Sequence, residues 1–332
     1  MPSANKNHAI DRPEWTVQGS DQLPLVVIIG PTGVGKSELS IQLALRLNGE
    51  IVSADSRVFY RGMDIGTAKP GQTDRDLVPH HLIDVANPDE VWSLAMFQDA
   101  ASRAIRMVTS AGHLPFLVGG TGQYIRAIVE GWSLPKVIPH PRLRSTLEEW
   151  AEEVTPQGLH DRLRTLDEAS AEQIDARNLR RTVRALEVIF TTGRKFSEQR
   201  GQLPAPYNTF ILGLFRPRDE LYKRIDIRIQ QMIDAGFEEE VQSLLNRGYS
   251  PDLAPLSAIG YNEMIEHLSG KLSLDEAVML IKRRTRIFVR RQANWFKLHD
   301  PSIHWYDASP DPQDLIVKDI RVWLDNSYIN HF

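Results

Sequence analysis

The sequence predicts an α/β protein in which a parallel β-sheet with flanking helices receives an all-helical insertion. Three observations support this fold class. Short apolar runs alternate with helix-period segments up to residue 135, residues 138–204 contain no convincing strand, and a further apolar run follows at 209–215. Short continuous apolar runs are typical of strands buried on both faces, and their alternation with helices is typical of parallel sheets.

The first half of the chain contains four candidate strands. Residues 23–30 form a β-branched run ending in glycine, followed by a helix with a stripe of Leu39, Leu43, Ala44 and Leu47. The other strands are predicted at 50–55, at 80–85 (a weaker pattern) and at 114–120. Ser93 is a suitable N-cap for the helix that precedes the last of these.

The second half is predicted to be mostly helical. Residues 209–215 return to the sheet, and from Asp219 onward only helices are expected. Ser273 and Glu276 have the spacing of a capping box and open a long helix. We therefore expect a disordered leader at 1–22, a core formed by 23–137 and 205–332, and a helical insertion domain at 138–204.

Composition excludes several classes of protein. Among 332 residues there is no cysteine, which excludes disulfide scaffolds, zinc fingers, iron–sulfur clusters and cysteine nucleophiles. No apolar run approaches the roughly 20 residues that span a bilayer, and the first residues lack a signal-peptide pattern. We expect a cytoplasmic protein without membrane contact, and a monomer.

A phosphate-binding motif follows the first predicted strand. Residues 30–37, GPTGVGKS, satisfy G-x-x-x-x-G-K-[ST] and lie between a buried strand and an amphipathic helix. Backbone N–H groups of such a loop converge on phosphate oxygens at the positive end of the helix dipole. Lys36 adds a positive charge, and the Ser37 hydroxyl is a ligand for Mg²⁺. This motif predicts a P-loop NTPase-like fold and a polyphosphate ligand, which leaves the reaction open.

The acidic groups near the motif argue against simple nucleotide hydrolysis. Such enzymes commonly end a later strand in a Mg²⁺-binding aspartate, whereas the strand here ends in Gly119, Gly120 and Thr121. Asp55 ends the second predicted strand and should face the phosphate loop across the carboxyl edge of the sheet. It is either a general base or a turn-forming residue, and Thr121 is either a helix cap or a catalytic group.

Two basic clusters suggest a nucleic-acid partner despite the net charge of −4. Arginines recur at helical spacing in 177–184 and in 283–291. By themselves such runs are better explained as solvated helix faces than as phosphate contacts.

Seven segments together resemble the tRNA dimethylallyltransferases, also called tRNA isopentenyltransferases. They are residues 30–37, 53–70 (SADSRVFYRGMDIGTAKP), 80–85, 117–128, 177–188, 259–264 and 281–297. They occur in order over about residues 24–298. The absence of cysteine excludes the C-terminal zinc finger of eukaryotic relatives, so the resemblance is to the bacterial type.

The resemblance implies a reaction and a set of site residues. A dimethylallyl group would pass from dimethylallyl diphosphate to the exocyclic amine of the adenosine 3′ of the anticodon (position 37), in the anticodon stem-loop of tRNA. Asp55, Lys36, Ser37 and Thr121 would be catalytic, with Asp55 as base and Mg²⁺ bound by Ser37. The diphosphate-binding residues would be Gly30, Pro31, Thr32, Gly33, Val34, Gly35, Lys36 and Ser37. The tRNA-binding residues would be Asp55, Ser56, Arg57, Val58, Thr121, Arg180, Arg181, Thr182, Val183, Arg184, Arg283 and Arg286.

Two residues depart from the family pattern, and other functions stay open. Val58 replaces a common glutamine, and Ser257 replaces a common arginine or glutamine before the AIGY segment. The alternatives are an isopentenyltransferase acting on free adenine nucleotides, a P-loop nucleotide kinase or other ATP-binding NTPase, and a tRNA-binding protein with a vestigial loop.

Overall fold

The computed structural model describes residues 22–135, 137–204, 206–309 and 311–328. The strands are β1 (Leu23–Ile29), β2 (Gly49–Ser53), β3 (His80–His81), β4 (Leu114–Val118), β5 (Trp132–Ser133), β6 (Gly201–Gln202), β7 (Tyr207–Phe215) and β8 (Ile303–Asp307). The helices are α1 (Lys36–Arg46), α2 (Gln72–Leu77), α3 (Leu94–Ser110), α4 (Gly122–Val129), α5 (Pro141–Leu166), α6 (Glu168–Gln173), α7 (Leu179–Thr192), α8 (Arg218–Asp234), α9 (Phe237–Asn246), α10 (Tyr261–Leu268), α11 (Leu274–Gln292) and α12 (Gln313–Tyr328). The predicted leader lies almost wholly outside the described residues.

Six strands form one parallel sheet, which confirms the predicted fold class. Their order is β3-β2-β4-β1-β7-β8, so the phosphate-loop strand β1 lies between β4 and β7. Val27 of β1 pairs with Leu117 on one side and Ile211 on the other. Residues 24–29 of β1 are buried, as the continuous apolar run predicts. The carboxyl ends of β1, β2 and β4 therefore meet at one edge.

The helices begin where the sequence signals indicate. The Ser93 side chain accepts a hydrogen bond from the Met96 amide at the start of α3. Ser273 and Glu276 form the predicted capping box of α11, each side chain accepting from the other's backbone N–H. None of the helices in the described ranges is long and apolar enough to cross a membrane.

Residues between β5 and β7 form a helical unit with its own hydrophobic cluster. Leu159 and Leu163 of α5 pack with Leu186 and Val188 of α7, and all four are buried. The buried carboxylate of Glu187 accepts hydrogen bonds from Arg144 and Arg184, at 2.9 and 2.5 Å. This unit corresponds to the predicted insertion 138–204, and its status as a domain stays a prediction.

Three strand predictions need correction. The predicted strand at 80–85 is only two residues long, and the short β6 within 138–204 pairs antiparallel with β5. The expectation of helices alone after Asp219 is wrong, because β8 extends the sheet beyond β7. In β8 only Ile303 and Tyr306 are buried, so this edge strand lacks the continuous apolar run that marks a central strand.

Candidate active site

The phosphate loop, residues 30–35, connects β1 to α1 at the carboxyl edge of the sheet. Gly33 and Gly35 have φ angles of 84° and 112°, in the left-handed region that favours glycine. The Lys36 ammonium donates hydrogen bonds to the carbonyls of Gly30 and Pro31, each at 2.9 Å. The sequence motif therefore has the expected curled conformation, with the lysine folded over the loop.

Two arginines from outside the motif hold the loop from its outer side. The Arg224 Nε donates to the Gly33 carbonyl at 3.1 Å, and the Arg216 Nε donates to the Val34 carbonyl at 3.0 Å. Because the N–H and C=O of one peptide unit point in opposite directions, anchoring the Val34 carbonyl outward directs the Gly35 N–H inward. Such inward N–H groups are what a phosphate anion requires.

A cavity of about 770 Å³, here called the phosphate-loop cavity, lies beside this loop. Lys36, Ser37 and Asp55 line it together, as the sequence analysis expected. Burial lowers the pKa of Lys36 to about 8, against the opposing effect of the Asp55 carboxylate. The lysine is thus mostly charged at neutral pH and loses its proton only above about pH 8, and an incoming anion would favour its charged form.

Asp55 lies two residues beyond the end of β2, with its carboxylate held in a turn. One carboxylate oxygen accepts the backbone N–H of Arg57 at 3.0 Å. The Arg57 guanidinium in turn donates to the carbonyls of Ala254 and Pro255, at 3.2 and 3.3 Å. Asp55 is therefore both a turn residue and a carboxylate exposed to the cavity, so the two interpretations of the sequence are compatible.

A second cavity of about 530 Å³, here called the aromatic cavity, adjoins the first. Phe237, Tyr261, Phe288 and Trp295 contribute to its wall, and Thr121 lies at its edge. Thr32, Asp55, Thr67 and Arg228 line both cavities. Asp55 thus stands at the junction between the cavity beside the phosphate loop and a cavity with aromatic walls.

One carboxylate accepts several hydrogen bonds from the segment that forms part of this wall. Glu240 of α9 accepts the backbone N–H groups of Asp64, Ile65 and Gly66 at 2.7–3.1 Å. It also accepts the Tyr261 hydroxyl at 2.6 Å. Gly66 and Thr67 line the cavities, so Glu240 helps to hold the part of the 53–70 segment that borders them.

Arg228 of α8 is not among the site residues that the sequence predicts. Its guanidinium lies at the junction of the cavities and donates to the Thr67 carbonyl at 3.4 Å. Burial lowers the pKa of Arg228, and the nearby Asp55 carboxylate opposes that effect. A signal was present, because Arg228 lies between the buried Ile225 and Ile229 on the apolar stripe of α8.

The predicted tRNA-binding residues occupy different environments. Ser56 and Arg57 line the aromatic cavity, whereas Val58 is buried against the phosphate-loop cavity. Thr182 and Val183 are 0% and 2% exposed, so their side chains belong to the helical cluster.

The predicted arginines divide into exposed and paired groups. Arg180, Arg181 and Arg283 are exposed. Arg184 is paired with Glu187, and Arg286 forms an ion pair with Asp226 at 2.5 Å. The exposed arginines are the better candidates for contacts with RNA phosphates.

The chain is similar to proteins of one family over most of its length. The profile of the family described as IPP transferase matches residues 58–299. A tRNA dimethylallyltransferase of Roseiflexus sp. (strain RS-1) is 48% identical, with 91% of this chain and 99% of that protein covered. One from Thermomicrobium roseum is 46% identical, with 86% and 87% covered.

Solved structures give the same result. The full-length tRNA isopentenylpyrophosphate transferase of Bacillus halodurans aligns with a TM-score of 0.68 and 40% identity, covering 94% of this chain and all of that chain. A eukaryotic dimethylallyltransferase described as acting on tRNA aligns with a TM-score of 0.75 and 28% identity, covering 93% and 80%. The sequence matches agree with the likeness to these structures, with the parallel sheet and with the phosphate loop. The chain belongs to the IPP transferase family, that of the tRNA dimethylallyltransferases.

Proposed function

We propose that this protein transfers a dimethylallyl group from dimethylallyl diphosphate to the exocyclic N6 amine of the adenosine at position 37 of tRNA, releasing diphosphate. The observation that carries the proposal is the position of Asp55 at the junction of the two cavities. The phosphate-loop cavity would hold the diphosphate, and the aromatic cavity would receive the target base. The reacting atoms would then meet beside a carboxylate.

The reaction forms one bond, breaks another and releases one proton. A nitrogen–carbon bond forms between the amine and the allylic carbon, and the carbon–oxygen bond to the diphosphate breaks. Asp55 would accept the proton of the amine, at a carboxylate whose orientation the Arg57 N–H maintains. Lys36, Arg228 and the loop N–H groups would stabilise the negative charge that develops on the leaving diphosphate.

The donor groups at this site fit a Mg²⁺ ion bound mainly through the substrate. Mg²⁺ usually keeps several waters and binds substrate phosphates, with few ligands from the protein. Ser37 supplies one hydroxyl to the phosphate-loop cavity, and the described residues contain no cluster of three or more acidic or histidine ligands. When bound there, Mg²⁺ would neutralise part of the diphosphate charge.

The aromatic cavity suits a base that has left its stack. Flipping a base out of an RNA loop costs a few kcal/mol, which stacking on aromatic rings offsets. Phe288 and Trp295 lie on the C-terminal part of α11 and just beyond its end, close to the exposed Arg290 and Arg291. The same end of the helix therefore combines ring surfaces for a base with cations for phosphates.

The test is a transfer assay with dimethylallyl diphosphate labelled in the prenyl group. Purified protein and Mg²⁺ are incubated with unmodified tRNA, with AMP, and with both. We expect label in tRNA alone, at position 37 after nuclease digestion. Label in AMP alone would support the free-nucleotide alternative, and ATP turnover without any label transfer would support a kinase or NTPase.

The Asp55→Asn variant separates the proposed base from the binding groups. We expect kcat to fall by about 10²–10⁴, because general-base catalysis contributes that much, while the affinity for dimethylallyl diphosphate stays within twofold. Equal losses in turnover and affinity would contradict the role of Asp55 as the proton acceptor.

A further inference from the structure

The side chain of Gln292 joins two loops of the active site that are distant in sequence. Its Oε1 accepts the backbone N–H of Thr32 in the phosphate loop, at 2.9 Å. Its Nε2 donates to the Gly120 carbonyl after β4, at 3.2 Å. Gln292 is the last residue of α11 and is 9% exposed.

The backbone around Gly120 is shaped to admit this side chain. A Cβ atom at Gly120 would lie 2.6 Å from the Gln292 Nε2, which is closer than real side chains approach. Two residues later, a Cβ at Gly122 would lie 2.2 Å from the Trp295 ring. Arg126 adds a hydrogen bond from its Nη2 to the Trp295 carbonyl, at 2.8 Å. The turn that holds Thr121 is therefore contacted on both sides. Gln292 packs against Gly120, and Trp295 packs against Gly122.

The primary amide of Gln292 can make both contacts at once. It presents one acceptor and one donor in a single plane, whereas a carboxylate offers only acceptors and an alkyl chain offers neither. The amide oxygen of Gln292 accepts the Thr32 N–H, a polar group near the start of the phosphate loop. The bridge fixes the spacing between the loop after β1 and the turn after β4.

We propose that Gln292 is a positioning residue that holds the phosphate loop and the Thr121 turn at a fixed separation. This inference rests on the proposed function for its catalytic consequence, since the separation sets where the diphosphate lies relative to Thr121 and Asp55. Displacement of reacting groups by about 1 Å can cost on the order of 10²-fold in rate. Gln292 acts through the two loops and is given no proton-transfer role.

The first experiment compares Gln292→Leu with the parent protein in two assays that need no tRNA. We expect faster amide hydrogen exchange in residues 30–35 and a 10-fold or greater loss of affinity for inorganic diphosphate. A matched control is Gln242→Leu, which removes an exposed 2.9 Å bond to Asn246 on α9 and should change neither quantity. Unchanged exchange and unchanged diphosphate affinity in Gln292→Leu would overturn the inference.

The second experiment uses Gln292→Glu, whose protonated form restores a donor and an acceptor. Asp55, Arg228 and Arg291 line the same cavity and are common to both proteins, so the readout is the ratio of variant to parent kcat/KM at each pH. We expect this ratio to rise at least fivefold as the pH falls from 8.5 to 6. A ratio independent of pH would contradict the bridging role.

The outcomes distinguish this inference from the proposed function. If the parent protein transfers no label to tRNA but Gln292→Leu loses loop protection and diphosphate affinity, the bridge stands and the function is wrong. Suppose instead that the parent modifies tRNA, that Gln292→Leu keeps its amide exchange and its diphosphate affinity, and that the kcat/KM ratio of Gln292→Glu to the parent does not change with pH. The function then stands and the bridge is wrong.

Discussion

At the scale of single residues, the charge of Lys36 affects how tightly the phosphate-loop cavity binds an anion. The ammonium folds onto the Gly30 and Pro31 carbonyls, and burial brings its pKa down to about 8. A diphosphate anion interacts favourably only with the protonated form. Lys36 must therefore be charged to contribute to binding, and a bound anion raises its pKa.

We predict that the affinity for dimethylallyl diphosphate without tRNA falls as the pH rises above about 8. Below this pKa Lys36 is protonated and the dissociation constant should be flat. Above it, each pH unit lowers the protonated fraction of the free protein by up to tenfold, so the dissociation constant should rise by up to tenfold per unit. Titration calorimetry from pH 7 to 9.5 measures this dependence.

The matched control for this prediction is Lys36→Arg, because arginine keeps its charge across the whole range. Its affinity is expected to be lower, since the guanidinium has a different shape, but nearly independent of pH. A flat profile in the parent protein would show that Lys36 stays charged in the free enzyme.

Residues of the site differ in how far local sequence reveals them. Lys36, Ser37 and Asp55 follow from a motif and a strand end, and the structure brings them to one cavity. Gln292 and Arg228 carry no local motif and reach the site from helices more than 190 residues after the phosphate loop. Their roles depend on tertiary packing, which a single sequence does not contain.

At the scale of elements, α7 presents two kinds of arginine. Arg180 and Arg181 are exposed near its N-terminus, where the helix dipole adds to their attraction for phosphate. Arg184 instead compensates the buried Glu187 carboxylate. Removing Arg184 would leave that carboxylate partly unpaired, so its loss would alter folding as well as any RNA contact.

We predict that Arg180→Ala/Arg181→Ala weakens tRNA binding without changing the affinity for dimethylallyl diphosphate. Each lost phosphate contact should reduce the slope of log affinity against log salt by about 0.7–0.9. Filter binding between 50 and 300 mM salt measures the slope. The control is Arg103→Ala/Arg321→Ala, which removes two exposed arginines on α3 and α12 and should leave the slope unchanged.

An unaltered slope in the Arg180→Ala/Arg181→Ala variant would exclude α7 from the RNA interface. The basic face would then be assigned to α11, where Arg283 and Arg290 are exposed.

Elements with local signals were predicted well, and those that depend on neighbours were not. β1 and the α11 capping box are recognisable from a few adjacent residues. β8 pairs with β7 at the edge of the sheet and alternates between buried and exposed positions over only five residues. A strand that short is stabilised by pairing with its neighbour β7, and this pairing is not recognisable from a single sequence.

At the scale of the whole molecule, the described residues contain two hydrophobic clusters. One surrounds the six-stranded sheet, and the other is confined to α5, α6, α7 and adjacent residues. We infer that the helical unit is a separate insertion domain, with its own stability and with tRNA contact as its function.

This inference predicts that Leu163→Ala destabilises the helical unit locally, by about 2–5 kcal/mol. Leu163 is fully buried in the second cluster. Hydrogen exchange should increase in 141–192 but not in β1 or β4, and diphosphate binding should persist. Leu117→Ala replaces a fully buried residue of the sheet and should increase hydrogen exchange in β1 and β4 but not in 141–192. Loss of protection in both units from Leu163→Ala would show a single cooperative domain.

The sheet order has a consequence for how the protein is made. β1 pairs with β4 on one side and with β7 on the other, and β7 ends at Phe215, after the whole helical unit. At roughly 5–20 residues per second of synthesis, one edge of β1 has no partner for on the order of 10–40 s. An unpaired apolar strand is a template for aggregation. The strand that carries the phosphate loop is therefore exposed to aggregation for as long as the ribosome takes to translate the chain from β1 to the end of β7.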